Sequence, residues 1–403
     1  MSGNAAHPSI SVTGRIDGLD GVRGFATLIV VFTHMGLLNR TGWVALQCFF
    51  VMSGFLISRV LLDLKLRHGA RRYFGEFYTF RVLRIMPAYW LYLTLLAIGS
   101  FFIVPDFFAR LRPLLPLLYS FIFNYSWAFT EPLKTPWIGH LWSMSVEEQF
   151  YLAWPLLLWL TPIRRLPWVA GGLVLAGPPL RWLIHRVWAP YAAGHDFDAA
   201  SMVWVATPSH LDAFACGALL CFDDVRKRLA AIPNLVYACL ILAVIATGIA
   251  WNIAFGNHDA LRFLGYPATM PTGGQYVWGY SAMNFLTCIL LSKVVETQFG
   301  HWLVCWYPID RLGKTSYSFY LSHHGIILLC ALYLTPPLMA WTGLPATAVT
   351  LIWLPFYLAT VFAIGSFSYE HWELPFLRLK KRLYPPDAPP HDALAAKPAK
   401  AAP

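Results

Sequence analysis

Residues 18–36, GLDGVRGFATLIVVFTHMG, give the strongest indication of the fold, because this apolar run contains an arginine and a histidine. About 20 predominantly apolar residues are enough to span a membrane as a helix. Arg23 and His34 are 11 residues apart. That spacing is close to three helical turns and puts both on one side of the helix, about 16 Å apart. Ionisable residues within a span are functional candidates, although Arg23 could merely snorkel to the surface while His34 fills the core.

The composition of the whole chain agrees with a membrane protein. Of its 403 residues, 58% are hydrophobic and 12% are charged, whereas a soluble domain carries about 25% charged residues. The formal net charge is +10, but the basic residues cluster in short loops between apolar runs, as the positive-inside rule expects. The lipid bilayer is therefore the expected surrounding, and nucleic acid is not an expected partner.

Apolar runs of spanning length predict an all-α, polytopic fold with about ten transmembrane helices. The predicted spans are 18–38, 42–62, 84–104, 141–160, 167–186, 203–222, 232–251, 275–293, 315–335 and 345–367.

Basic loops predict how these spans are oriented. They lie at 65–84, 164–165, 226–228 and 378–382, and all four are cytoplasmic if both termini are cytoplasmic in the cell (inner) membrane. A further apolar stretch, 113–130, would break this parity if it crossed the membrane. It contains prolines and an asparagine, so a re-entrant or interfacial segment is expected there.

Three regions follow from this organisation. Residues 1–15 are expected to form a cytoplasmic N-terminal segment, and residues 16–377 the membrane domain. Residues 378–403 are basic at first and then rich in Pro and Ala. That composition is typical of a disordered cytoplasmic tail.

A pair of arginines lies at the start of the third predicted span, in FRVLRIMP at 80–87. Arg81 and Arg84 are three residues apart and share a helical face. Two guanidinium groups so placed match the geometry of phosphate oxygens. Ordinary positive-inside anchoring would also place arginines here.

Two adjacent carboxylates lie in the fourth predicted span, in LWSMSVEEQFYLAWP at 141–155. Ser143, Glu147 and Tyr151 share a face by i, i+4 spacing. Glu147 and Glu148 point about 100° apart, so at most one of them is expected to face a given site. A buried glutamate can orient a histidine, act as a base or only neutralise buried arginines.

Further polar candidates lie in later spans. Asp212 is an isolated acid in an apolar run, and Ser316, Tyr320 and His323 (or His324) fall near one face of the ninth span. A belt of interfacial aromatic residues would equally explain the tyrosine. No zinc, haem, phosphate-loop, dinucleotide or serine-hydrolase motif occurs, so no metal is expected.

Taken in order, these segments resemble the acyltransferase type 3 family of multi-span O-acyltransferases. The resemblance covers about residues 16–377. Its motifs are LDGVRGFATLIVVFTHMG, FFVMSGFLIS, FRVLRIMPAYW, LWSMSVEEQFYLAWP with Ser145 and Glu148, HLDAFACGALL, SYSFYLSHH and WELPFL.

The resemblance implies about ten spans, an acyl-CoA donor bound from the cytoplasmic side and His34 as the central catalytic residue. It also implies that Arg23, Arg81 and Arg84 are polar partners for the coenzyme A phosphates. The expected activity is an acyl-CoA-dependent acyltransferase, with acetyl-CoA as the expected co-substrate. The acceptor hydroxyl would belong to a carbohydrate, a lipid-linked sugar or a small molecule.

The residues themselves are compatible with this chemistry. His34 could be a general base for the acceptor hydroxyl or could carry the acyl group as a nucleophile, and Glu147 could orient a polar partner. A different class of protein stays open on composition alone. A secondary transporter or lipid-linked sugar flippase could use Arg23, His34 and Glu147 as a polar relay.

Overall fold

The computed structural model describes residues 16–38, 42–128, 137–193 and 198–385, without the side chains of 260–262 and 381. Within these ranges the chain is helical and contains no β-strand, so the predicted all-α class is confirmed. The predicted N-terminal segment 1–15 and the tail from residue 386 onward lie outside the described residues.

The α-helices are numbered here in chain order. They are α1 Leu19–His34, α2 Trp43–Arg67, α3 Ala70–Ile103, α4 Pro105–Leu111, α5 Leu115–Tyr119, α6 Trp142–Leu160, α7 Leu166–Ala192, α8 Ala199–Val205, α9 Leu211–Leu219, α10 Asp223–Ala230, α11 Asn234–Ala254, α12 Gly279–Thr297, α13 His301–Val304, α14 Tyr307–Tyr333, α15 Thr335–Thr342, α16 Ala346–Ser368 and α17 Leu374–Leu383. A π-helical turn, Tyr369–Glu373, joins α16 to α17.

Among the described residues, five helical stretches are long and apolar enough to cross a membrane. They are Trp43–Arg67, Ala70–Ile103, Asn234–Ala254, Tyr307–Thr342 and Ala346–Lys380. A membrane protein is therefore supported, but the predicted number of about ten spans is not confirmed. One reason is visible in α1, which has 16 residues and is shorter than the roughly 20 that a span needs.

Two predicted segments are broken in the structure. The predicted span 203–222 is divided between α8 and α9 by a 3₁₀ turn, Thr207–His210, that contains Pro208. A proline lacks the amide hydrogen that continues a helix, so a break here is expected on physical grounds. The segment 113–130 is described as far as residue 128 and consists of short pieces, including α5 and a 3₁₀ helix, Phe123–Ala128.

Large aromatic side chains are exposed on the outside of the helices. Trp168, Trp302 and Trp341 are each more than 80% exposed. Such surfaces are costly in water but favourable in the bilayer and at its interface.

Glycines let the central helices pack with their backbones in contact. A Cβ atom added at Gly54 of α2 would lie 2.1 Å from the carbonyl oxygen of Phe214 in α9. One added at Gly217 of α9 would lie 2.0 Å from that of Val51 in α2. Only residues without a Cβ allow this approach, and small residues serve this purpose in membrane helix pairs. Of this packed pair, α2 contributes Leu46, Phe50 and Ser53 to the lining of the polar interior.

Candidate active site

The pairing of α1 with α14 positions His34, because these helices are also in backbone contact. A Cβ atom added at Gly21 of α1 would lie 1.7 Å from the carbonyl oxygen of Val304, which precedes α14. One added at Gly313 of α14 would lie 1.7 Å from the carbonyl oxygen of Asp20. The close approach brings the last residue of α1, His34, against the middle of α14.

Four histidines from three parts of the chain meet at this point. His34 Nδ1 lies 2.8 Å from His323 Nε2, and the rings of His34 and His324 have centroids 4.6 Å apart. His140, in the turn before α6, has its ring centroid 5.1 Å from that of His323 and 5.2 Å from that of His324. His323 is fully buried and His140 is 4% exposed.

Only some of the ring nitrogens in this histidine cluster have hydrogen-bond partners. His323 Nδ1 lies 2.6 Å from the carbonyl oxygen of Tyr320, and the Tyr357 hydroxyl donates to the backbone carbonyl of His323 at 3.3 Å. Neither ring nitrogen of His140 has a partner among the described residues, and His324 Nδ1 also has none. In the part of the chain that the structure describes, no group of His, Cys, Asp or Glu residues has the arrangement of a metal site.

An aromatic cavity of about 450 Å³ opens beside the histidines. His34 and His140 line it together with the indole rings of Trp43, Trp142 and Trp204. Tyr320 also lines it; this hydroxyl donates to the carbonyl oxygen of His140 at 2.9 Å. The cavity thus combines flat apolar walls with imidazole nitrogens.

A middle cavity of about 130 Å³ lies next to the aromatic cavity and shares Leu46 and Tyr320 with it. Its lining contains arginines and glutamates from different helices. The charged and hydroxyl residues lining it are Arg23, Ser53, Arg81, Arg84, Ser143, Glu147, Glu148, Tyr151, Ser316, Tyr317 and Tyr320.

Ser143, Glu147 and Tyr151 all line the middle cavity, in agreement with their predicted common face. The expectation that only one of the two adjacent glutamates would face it is wrong, because Glu148 lines it as well. The physical reason is that the cavity extends around both sides of α6, from α2 to α3 and α14. On the α2 side, the Ser53 hydroxyl donates to Glu147 Oε1 at 3.0 Å.

The two arginines of α3 keep their donors available. Arg81 stacks its guanidinium over the ring of Tyr151 at 4.6 Å. Neither Arg81 nor Arg84 donates a hydrogen bond within the described ranges, whereas Arg23 bonds to Asp20 at 3.1 Å. Two half-buried guanidinium groups with unused donors form a strong site for an anion.

A basic cavity of about 500 Å³ continues from the middle cavity. The two share Arg23, Ser53, Arg81, Arg84 and Tyr151. The basic cavity adds Lys314 of α14 and Lys380 of α17, and Lys380 Nζ lies 3.5 Å from the centre of the Phe80 ring. The basic, middle and aromatic cavities therefore adjoin one another in series, with five basic residues at one end and His34 at the other.

Three of the predicted polar-cavity residues line none of the three cavities, although one of them, His323, contacts His34; the other two are Ser145 and Asp212. Ser145 is fully buried, and its hydroxyl donates to the carbonyl oxygen of Leu141 at 3.5 Å within its own helix. Asp212 is also fully buried and accepts hydrogen bonds from Arg181 at 2.9 Å and from Ser281 at 2.7 Å.

Three site residues were not singled out from the sequence: His140, Lys314 and Lys380. His140 directly precedes the LWSMSVEEQF segment, but nothing in its spacing connects it with His34 or His323. Lys380 belongs to the basic stretch 378–382, which the positive-inside rule already explains, and Lys314 directly precedes the predicted span 315–335. Only the packing of α14 and α17 against α3 places them at one cavity.

The fold and the cavities are those of a helical membrane protein with a buried polar route that ends at His34. The chain belongs to the acyltransferase family whose model, described as "Acyltransferase domain", matches residues 16–367. The resemblance identified from the sequence motifs is thereby confirmed.

Curated relatives agree with this family. The chain is 26% identical over 356 residues to "Peptidoglycan O-acetyltransferase OatA" of Listeria monocytogenes, covering 84% of this chain and 53% of the relative. It is 27% identical over 344 residues to "Putative peptidoglycan O-acetyltransferase YrhL" of Bacillus subtilis, covering 78% of this chain and 49% of the relative. The chain thus spans about half the length of these relatives. No solved structure matches it.

Proposed function

We propose that this protein is a membrane-embedded O-acyltransferase that moves an acetyl group from acetyl-CoA to a hydroxyl group of a carbohydrate. The observation that carries the proposal is the series of three adjoining cavities, which leads from five basic residues to His34. A long donor with an anionic head and a reactive far end fits such a route.

The basic cavity is the proposed site of the coenzyme A phosphates. Arg81 and Arg84 offer forked donors that no described residue uses, and Lys314 and Lys380 add charge around them. Charge-assisted hydrogen bonds to phosphate are stronger than neutral ones. The thin pantetheine arm would pass through the middle cavity and bring its thioester to the edge of the aromatic cavity.

The aromatic cavity is the proposed site of the acceptor. The faces of Trp43, Trp142 and Trp204 can pack against the apolar face of a sugar ring, while the imidazoles reach its hydroxyl groups. The printed names of the relatives describe peptidoglycan O-acetyltransferases, which supports a cell-envelope carbohydrate and an acetyl group.

The transfer follows from the position of His34 in the lining of the aromatic cavity, which adjoins the middle cavity. A ring nitrogen of His34 removes the proton of the acceptor hydroxyl. The acceptor oxygen then bonds to the thioester carbonyl carbon, the carbon–sulfur bond breaks, and the coenzyme A thiolate takes up the proton held by His34. The products are an ester and free coenzyme A thiol.

Arg23 and Glu147 have supporting roles in this proposal. Arg23 lines both the basic and the middle cavity, where it would hold the donor. Glu147 lines only the middle cavity and accepts from Ser53, so we assign it the positioning of polar groups along the pantetheine arm. The orientation that satisfies the positive-inside rule puts both termini and the basic cavity on the cytoplasmic side, and the acceptor would then bind near the opposite face.

The test is thiol release by the purified protein in detergent. Wild type and His34→Ala are supplied with acetyl-CoA and longer acyl-CoAs, with and without a cell-envelope carbohydrate fraction. Acceptor-dependent release by the wild type, lost in His34→Ala, is expected. Undetectable binding of coenzyme A to the wild type would contradict the proposal.

The same assay addresses the transporter or flippase alternative, which family membership disfavours. A transporter would not cleave a thioester. Release of thiol that tracks the formation of an ester on the acceptor separates the two classes.

A further inference from the structure

His34 needs one specific proton arrangement to act as a base. A neutral imidazole carries its proton on one nitrogen and a lone pair on the other, and its hydrogen bonds decide which is which. His34 Nδ1 contacts His323 Nε2 at 2.8 Å, so the proton on that contact belongs either to His34 or to His323.

The second ring nitrogen of His323, Nδ1, determines which of the two histidines carries this proton. His323 Nδ1 lies 2.6 Å from the backbone carbonyl oxygen of Tyr320. A carbonyl oxygen can only accept, so Nδ1 of His323 must carry a hydrogen.

The surroundings of His323 keep its ring neutral. It is fully buried, and the rings within contact distance are those of His34, His140, His324 and Tyr320. Within the described part of the chain no carboxylate contacts it. A buried cation without a partner is costly, so a neutral His323 has its only hydrogen on Nδ1 and a lone pair on Nε2.

The lone pair on His323 Nε2 requires a donor, and His34 Nδ1 is the atom against it. A neutral His34 that donates from Nδ1 has its lone pair on Nε2. His34 lines the aromatic cavity, and its Nε2 has no hydrogen-bond partner among the described residues. The lone pair is therefore left for an incoming hydroxyl group.

We infer that His323 is a positioning residue for His34: the relay from the Tyr320 carbonyl through His323 fixes the proton of His34 on Nδ1 and makes Nε2 the base. This inference rests on the proposed function, because it assigns the atom that takes the acceptor proton. When Nε2 is protonated during transfer, His323 Nε2 still accepts from Nδ1 and stabilises the imidazolium. An aspartate has the corresponding role in the serine protease triad.

The first test does not require activity. Nitrogen NMR of the full-length protein with ¹⁵N-labelled histidine, in detergent without donor or acceptor, distinguishes protonated from unprotonated ring nitrogens. The His34 signals are identified by their loss in His34→Ala. Wild type is expected to carry its His34 proton on Nδ1, and His323→Leu is expected to shift it towards Nε2. A wild-type His34 proton on Nε2, or a tautomer unchanged in His323→Leu, would overturn the inference.

A matched control separates the effect of the hydrogen bond from that of ring packing. The His324 ring packs against that of His34 with centroids 4.6 Å apart and a tilt of 30°, but no hydrogen bond joins the two rings. His324→Leu should leave the His34 tautomer unchanged. A tautomer shift as large as that in His323→Leu would show that packing, and not the relay, sets the proton position.

Kinetics provide the second test. In His323→Gln, the side-chain amide oxygen of glutamine can occupy the position of the histidine Nε2 atom, because each of these two atoms is three bonds from Cβ. We expect kcat of His323→Leu to fall by up to about 10⁴-fold, as when a triad loses its correct tautomer, with little change in KM for acetyl-CoA. His323→Gln should recover at least about tenfold of that loss. Equal kcat values for the two variants, or a loss confined to KM, would contradict the positioning role.

These measurements also separate the inference from the proposed function. If His34→Ala keeps full transferase activity, the proposed base is wrong whatever the tautomer. If His34→Ala is inactive but the wild-type proton lies on Nε2, only the relay is wrong. Should His323→Leu not fold, the wild-type spectrum and His323→Gln still decide the matter.

Discussion

His34 is the residue on which the proposed chemistry depends most. His34→Ala should lower kcat by about 10²–10⁴-fold, which is the usual contribution of a general base. Binding of acetyl-CoA should persist, because the basic residues belong to other cavities. The measurement is transfer of labelled acetyl, with coenzyme A binding by calorimetry. His185→Ala is the control, since that ring stacks on Tyr276 and lines none of the three cavities; unchanged transfer in His34→Ala would refute the assignment.

A second prediction concerns the two arginines of α3, Arg81 and Arg84. Arg84→Lys keeps the charge but loses the forked donors that match phosphate. A hydrogen bond to a charged group contributes about 1.5–3 kcal/mol, so KM for acetyl-CoA should rise about 10- to 100-fold while kcat changes little. Arg164→Lys is the matched control, because Arg164 is exposed and lies in the 3₁₀ turn Ile163–Arg165. An unchanged KM in Arg84→Lys would place the phosphates elsewhere.

At the element scale, the site exists because α1 and α14 touch through glycines. Gly313→Ala puts a Cβ atom 1.7 Å from the carbonyl oxygen of Asp20, so the helices must separate. Overpacking of this kind costs about 1–3 kcal/mol or more, and the contact between His34 and His323 should be lost with it. The midpoint of thermal unfolding and the acetyl-transfer rate should both fall.

Gly171 of α7 provides a control for the Gly313→Ala substitution. An added Cβ at Gly171 meets nothing within 4 Å, and replacing a helical glycine by alanine gains about 0.5–1 kcal/mol. Gly171→Ala should therefore keep both stability and activity. If Gly313→Ala behaves in the same way, close packing of α1 on α14 is not what positions the site.

The buried pair Arg181–Asp212 gives another prediction about helix packing. Removing one member of a buried ion pair costs about 3–5 kcal/mol, so Asp212→Ala should lower the yield of folded protein. The double variant Arg181→Met with Asp212→Leu should recover stability. The transfer rate per folded molecule should match wild type, because neither residue lines the cavities. A folded but inactive Asp212→Asn would return this residue to the site.

These elements also show what the sequence can and cannot predict. The 11-residue spacing of Arg23 and His34 places both along one route, because helical geometry acts within a single segment. The pairing of Asp212 with Arg181 cannot be predicted, since Arg181 belongs to another helix, 31 residues away, and no local pattern links them. His140 was missed for the same reason. The break at Thr207–His210 was also missed, although Pro208 was a signal for it.

For the whole molecule, the predicted orientation in the membrane can be tested by cysteine labelling. A cysteine that replaces Arg164 or Lys227 should be labelled by an impermeant maleimide only after the cells are opened. A cysteine that replaces Asn257 should be labelled in intact cells. The exposed Cys239 and Cys305 are first replaced by serine. Labelling of Arg164→Cys from outside would reverse the topology and move the basic cavity away from cytoplasmic acetyl-CoA.

In the proposed reaction, an acetyl group passes from a donor at the basic end of the molecule to an acceptor at the His34 end. Proteoliposomes of uniform orientation, with labelled acetyl-CoA on one side only and acceptor on the other, test it directly. Labelled ester is expected on the acceptor when acetyl-CoA faces the basic cavity, and none in His34→Ala vesicles. Ester formation only when donor and acceptor share one side would contradict the route from the basic cavity to His34.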